Sequence, residues 1–235
     1  MSLRDEVAAL LVWPLPTEHA PPERGLEQVE EVVAQSHDVD PAVATTQLVA
    51  WLDLVRTWNR KIDLTAAKGD AELAELGVLD AVQIGGRVAR DGGGVVDVGS
   101  GFGAPGIPVA ILRPDLEVKL VEPLGKRATF LRMVIGTLGL TARVEVLETH
   151  GEKVAEAAIH FDAAISRATL SPDEWLTLGD RLAPDGEVVA LLAREPPPEH
   201  PGREVAWRVD YATKAGAPRV AICMRRRGSG TTRVP

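Results

Sequence analysis

The chain has 235 residues, 45% of them apolar and only 4% aromatic, with a mean hydropathy of +0.01 and a formal net charge of −8. That composition excludes a disordered chain and describes one large domain, or one domain with an extension, whose core rests on Leu, Val, Ile and Ala. The single Cys223 excludes an internal disulfide and a Cys-based zinc cluster, the five histidines lack ligand spacing, and no run approaches the ~18 apolar residues that cross a bilayer, so no metal and no membrane are expected.

The charge is unevenly spread. Residues 1–80 hold 6 basic and 15 acidic side chains, whereas the remainder hold 20 and 19. The acidity is therefore an N-terminal property. From Arg219 onward the chain has Arg219, Arg225, Arg226, Arg227 and Arg233 and no acid, which allows a local basic surface facing RNA. The first residues are acidic where a secretion signal is basic, and a cytoplasmic location is expected.

In chain order, a helical turn is expected at 4–12, then a proline-rich surface stretch, then a short helix at 25–35. A longer helix follows Pro41, where Leu48, Trp51, Leu52, Val55 and Trp58 recur at three- and four-residue steps. Its tryptophans read as core rather than as a base-stacking platform. Asn59-Arg60-Lys61 ends it, and IDLTA continues in extended form. Residues 1–90 thus form an N-terminal extension and helical region.

From residue 91 strands and helices alternate: strand 95–99, a helix stopped by Pro114, strand 117–123, a helix beginning GKRATFLR, strand 142–148 and strand 161–168. A helix capped by Ser171 with Glu174 three residues on then leads into a fifth strand after Asp185-Gly186. Successive crossovers imply a mostly parallel sheet with helices on both faces. EVAWRVDYAT and APRVAICMR have no helix between them and should pair as an antiparallel hairpin, with Cys223 a small buried residue of the last strand. Such an ending resembles the class I S-adenosylmethionine (SAM) methyltransferase sheet, a Rossmann-like α/β fold. Residues 91–228 make that domain, and 229–235 a tail.

The loop DVGSGFGAPGIP carries the chemistry. Gly99–Ala104 also satisfies the dinucleotide pattern GxGxxA, so the glycines alone leave SAM and NAD open. Asp97 separates them: a carboxylate two residues before the first glycine repels a pyrophosphate and suits the cationic methionine end of SAM. Glu122, at the end of the second strand, can accept hydrogen bonds from ribose hydroxyls of either cofactor. As for the acceptor, methylation of pyrimidine C5 needs a cysteine nucleophile, and Cys223 is misplaced for it. Strand four ends in Ser166-Arg167-Ala168 rather than in a loop for exocyclic amines. A ring nitrogen such as guanine N7 needs alignment rather than a base, and arginine pairs with the O6/N7 edge of guanine.

The run VDVGSGFGAPGIPVAILRPDLEVKLVEPLGKRATFLR, with FDAAISRATLS after it and WNRKIDLTA before it, resembles the RsmG (GidB) family over about residues 45–225. The resemblance implies a cytoplasmic monomer that uses SAM to methylate N7 of a guanosine in 16S ribosomal RNA, alone or within the small ribosomal subunit precursor. It implies a cofactor pocket of Asp97, Gly99, Ser100, Gly101 and Gly103, with Glu122 and Leu124 at the ribose and Gly151, Glu152 and Lys153 at the adenine. Lys126 and Arg127 would face RNA, with Arg194 a partial substitute for a family lysine that Leu192 replaces, and Arg167 would act beside the methyl group and target base. Asn59 and Thr65 match the family's WNxxxxLT segment. The chain departs from the family pattern at Phe102, which normally stands two positions later, and at Gly77, where a histidine is usual before Asp80. It departs again at Leu192, where a lysine is usual, and at Arg219, where a histidine is common. Methylation of another RNA or a small molecule, and SAM binding at the ribosome without activity, are the alternatives.

Overall fold

A computed structural model describes residues 1–11, 39–89, 92–167, 169–193 and 199–228. The helix expected at 25–35 lies outside them. Three helices come first: α1 (Leu3–Leu10), α2 (Pro41–Trp58) and α3 (Asp70–Gly85). Asp40 caps α2 by accepting from the Ala42 N–H, with Pro41 in the first turn where its missing N–H costs nothing. Leu48, Trp51, Leu52 and Val55 of the α2 stripe are buried as their spacing predicts, and Trp58 at its end is half-buried.

The α/β part follows as β1 (Gly93–Val98), α4 (Gly106–Leu112), β2 (Leu116–Val121), α5 (Gly125–Thr137), β3 (Val144–Leu147), α6 (Gly151–Glu156), β4 (Ala163–Arg167), α7 (Pro172–Leu182) and β5 (Glu187–Leu192). The strands β6 (Arg203–Ala212) and β7 (Pro218–Arg226) close the chain. Ser171 and Glu174 form the expected reciprocal cap of α7. The sheet runs β3-β2-β1-β4-β5-β7-β6, parallel from β3 to β5, with β7 antiparallel to both neighbours. This is the class I methyltransferase order, and the terminal hairpin supplies its antiparallel edge. Cys223 is fully buried in β7.

Alternation along each strand divides the core. Val95 of β1 packs on the face covered by α1 to α5, whereas Val96 and Val98 pack on the face covered by α6 and α7. Asp97 therefore belongs to the first face, beneath the start of α4.

Two parts differ from the sequence reading. IDLTA is a loop rather than an extended continuation. The Asn59 side chain accepts from the Leu64 and Thr65 N–H groups and donates to the Thr65 carbonyl, which folds the loop back on the end of α2. Residues 70–85, unassigned from sequence, form α3. Its buried residues, Leu73, Ala74, Val78, Ala81, Val82 and Ile84 among them, share one broad face, but Leu76 and Leu79 add apolar side chains outside it and blur the stripe in the sequence.

Arg113, at the end of α4, is fully buried. Its Nη1 donates to the carbonyls of Gly85 and Val88, its Nη2 to the Ala89 carbonyl and Asp115, and its Nε to Asp115. One guanidinium thus satisfies the carbonyls left open where α3 ends.

Candidate functional site

The strand order reverses between β1 and β4, so a crevice opens outside the carboxyl ends of these strands. The glycine loop crosses it. Gly99 has φ of 74°, in the left-handed region that favours glycine, and a Cβ there would fall 2.2 Å from Thr169 Oγ1. A Cβ on Gly106 would fall 2.6 Å from Asp97 Oδ2; its absence lets the first turn of α4 reach the carboxylate.

Asp97 is 1% exposed. Its Oδ2 accepts from the Gly106 N–H at 3.1 Å, whereas its buried Oδ1 has no hydrogen-bond partner among the described residues. Burial pushes its carboxyl up to about 6, against the pull of the Gly106 N–H and of the Arg167 charge. A half-satisfied buried carboxylate is costly for the protein alone and calls for a donor, ideally a cation.

Glu122, 3% exposed, accepts from the Gly101 N–H through Oε2 and from the Leu124 N–H through Oε1, each at 2.9 Å. These bonds fix the carboxylate to the loop and leave each oxygen further accepting capacity. Ser100 turns its hydroxyl inward to the Asp97 carbonyl. Leu124 caps α5 with its apolar side chain 55% exposed. Gly151 packs against Val98, where a Cβ would lie 2.8 Å from Val98 Cγ1. The Glu152 and Lys153 side chains are exposed, and Lys153 pairs with Glu156. Asp97, the glycine loop, Glu122 and Leu124 are thus joined by hydrogen bonds, while the side chains of Glu152 and Lys153 make none to the loop among the described residues.

Arg167 ends β4. Its Nη1 donates to the Leu76 carbonyl at 2.5 Å and to Asp80 Oδ2 at 3.1 Å, and its guanidinium lies over the Phe102 ring, 5.7 Å from the centroid. Its Nε and Nη2 make no hydrogen bond among the described residues. Asp80 Oδ1 accepts from the Tyr211 hydroxyl at 2.7 Å. Tyr211 comes from the terminal hairpin and has no spacing signal in the sequence.

Phe102 is stacked on Trp51 with centroids 5.7 Å apart and planes 9° from parallel, and Trp51 Nε1 donates to the Phe102 carbonyl. The same indole covers Gly77, where a Cβ would lie 2.8 Å from Leu52 Cδ2 and 3.1 Å from Trp51 Cζ3. Two of the sequence departures, Gly77 and Phe102, therefore meet at one ring. Leu192 is buried in the core at the end of β5. Arg194 lies outside the described residues.

At the rim, Arg127 donates to the Asp63 carbonyl, tying the Asn59–Thr65 loop to the start of α5. Lys126 beside it is exposed, as are Arg60 and Lys61 in that loop and Lys68 just after it. None of these four forms an ion pair among the described residues, although Arg60, Lys61 and Lys68 lie in the acidic N-terminal part of the chain. Sequence reading singled out Lys126 alone of the four, because the loop cations join it only through the Arg127 contact.

The model of the family described as rRNA small subunit methyltransferase G matches residues 44–223. A protein named ribosomal RNA small subunit methyltransferase G from Anaeromyxobacter dehalogenans is 37% identical over 179 residues, covering 76% of this chain and 81% of its own length. A protein of the same name from Stenotrophomonas maltophilia is 33% identical over 206 residues, covering 87% of this chain and 94% of its own length.

Proposed function

The chain belongs to the rRNA small subunit methyltransferase G family, and from that premise we propose that it transfers the methyl group of SAM to N7 of a guanosine in 16S ribosomal RNA. The observation that carries the cofactor is the unpartnered Oδ1 of Asp97, which fits the ammonium of the methionine end of SAM and opposes a pyrophosphate. Glu122 would accept from the two ribose hydroxyls and Leu124 would cover the adenosine, with Gly151 keeping the floor at Val98 free of side chains. When bound, SAM supplies a methyl group on a sulfonium, ready for an in-line nucleophile.

The residues around this pocket would then orient and exclude water. Guanine N7 attacks with its own lone pair, so no side chain has to remove a proton. Arg167 would hold the O6 side of the base through Nε and Nη2, aligning N7 with the methyl carbon. Its pairing with Asp80 serves the same step. Alkylation leaves the guanine ring positively charged, and a guanidinium balanced by a carboxylate repels that charge less than a free one. The exposed cations Arg60, Lys61, Lys68 and Lys126, which form no ion pair among the described residues, would offer RNA phosphates a basic rim, which supports RNA over a small acceptor despite the negative net charge.

The test is transfer of labelled methyl groups to small subunits or 16S RNA from cells lacking this gene, followed by chemical cleavage at 7-methylguanosine. A new cleavage site is expected, and methylation elsewhere or none rejects the assignment. In the same assay Arg167→Ala should slow transfer at least tenfold while calorimetry finds SAM affinity within about twofold of wild type. An equal loss of both contradicts the role given to Arg167.

SAM affinity should also depend on pH. Below about 6 Asp97 is protonated and offers the ligand ammonium no counter-charge. Affinity is therefore expected to rise with pH up to about 6 and to level off above it, with proton release on binding below that point. Titrations at several pH values check this; a flat profile excludes Asp97 as the ammonium partner.

A further inference from the structure

Tyr211 belongs to β6, at the sheet edge remote in sequence from every residue assigned so far, yet its hydroxyl reaches the site through one carboxylate. Asp80 on α3 is the junction. Its Oδ1 accepts from Tyr211 at 2.7 Å and its Oδ2 from Arg167 at 3.1 Å, so the two donors together fix the plane of the carboxylate. Asp80 is buried and the Arg167 side chain mostly so. We propose that Tyr211 is a positioning residue for methyl transfer: by holding Asp80, it holds the guanidinium of Arg167 over Phe102, leaving Nε and Nη2 for the target base. This rests on the role given to Arg167 above.

The chemistry of the pair favours tyrosine over a smaller hydroxyl. The ring spans from β6 to α3 without a flexible stem, losing little freedom on binding Asp80. Burial, with the negative charge of Asp80 beside it, drives the phenol well above its ordinary value, and Arg219 and Arg167 counter this only in part. The hydroxyl therefore remains a donor throughout any assay range. Without it, Asp80 is free to rotate about its carboxyl bond, and Arg167 keeps only the Leu76 carbonyl as a fixed anchor.

Four forms of the full-length chain test this: wild type, Tyr211→Phe, Arg167→Ala and the double variant, each in single-turnover transfer to unmethylated small subunits. SAM and RNA affinities are measured separately, by calorimetry and filter binding. Tyr211→Phe should slow transfer about tenfold, the worth of one hydrogen bond to a charged group, with both affinities within twofold of wild type. In the Arg167→Ala background the same change should cost nothing further, because the residue being positioned is gone. A wild-type rate for Tyr211→Phe, or an undiminished second loss in the double variant, overturns the proposal. Should Tyr211→Phe fail to fold, Asp80→Asn must show the same coupling with Arg167→Ala, and additive losses there overturn it equally. A wild-type rate for Arg167→Ala falls instead on the role of Arg167, and no transfer by the wild type falls on the substrate; either removes the role of Tyr211 with it.

Discussion

Asp97→Ala should lose at least a hundredfold in SAM affinity by calorimetry. The carboxylate is buried and half-satisfied, so an incoming ammonium finds an unscreened counter-charge. Removing one partner of a buried, hydrogen-bonded charge pair costs about 2–5 kcal/mol, or roughly 30- to several thousand-fold in affinity. Asp97→Asn keeps the volume and the Gly106 contact geometry but not the charge, and should lose nearly as much. The free protein should respond in the opposite sense. Asp97 has a folded-state value raised from 3.8 to about 6, so its ionised form opposes folding. The penalty is absent below about pH 4, grows as pH rises through 6, and reaches about 3 kcal/mol above it. Asp97→Asn should therefore raise the melting temperature of the ligand-free protein at pH 8 and leave it unchanged at pH 4. A variant that binds SAM normally, or one destabilised at pH 8, contradicts the assignment of Asp97.

Arg113→Ala should give the largest loss of stability of any single substitution outside the site. The side chain satisfies the carbonyls of Gly85, Val88 and Ala89 together with Asp115, all from a fully buried position. Truncation leaves three backbone acceptors and a cavity, for an expected cost of about 3–5 kcal/mol. In a chain of this length that corresponds to a fall of roughly 10–15 °C in melting temperature. Arg113→Lys keeps the charge but has one ammonium where a planar fork serves four acceptors, and should recover little of the loss. Because α4 carries Arg113 away from the carboxyl ends of the strands, the folded fraction should bind SAM normally. A fall under about 3 °C for Arg113→Ala contradicts this account.

The sequence displayed the sheet well and the links between its edges poorly. Strands buried on both faces read as apolar runs, and the change to a helical period after each one marked the crossovers. Asp97 stood out because it interrupts such a run. Helix α3 had no comparable signature, since it is apolar on several sides and contains Gly77 in its middle. The contact of Tyr211 with Asp80 spans 131 residues and leaves no local trace. The loop cations were hidden for a different reason: Arg60, Lys61 and Lys68 lie in the acidic part of the chain, and only the bond from Arg127 to the Asp63 carbonyl ties their segment to α5. Among the resemblance-derived cofactor residues, Glu152 and Lys153 came with a position but no geometry, because neighbours on a helix start share the sequence motif without sharing a direction.

The indole of Trp51 changes how the divergence of this chain is weighed. Gly77 and Phe102 look like separate departures, each weakening the match on the substrate side. Yet the ring that stacks on Phe102 is the ring that fills the space above residue 77. A histidine restored at 77 alone would collide with Trp51, and a smaller residue at 51 would strip Phe102 of its stacking partner. Gly77→His alone should therefore be destabilising, and a smaller residue at 51 should ease it only at the expense of the Phe102 stack. The two departures thus share one packing constraint and do not count as two independent marks against the match.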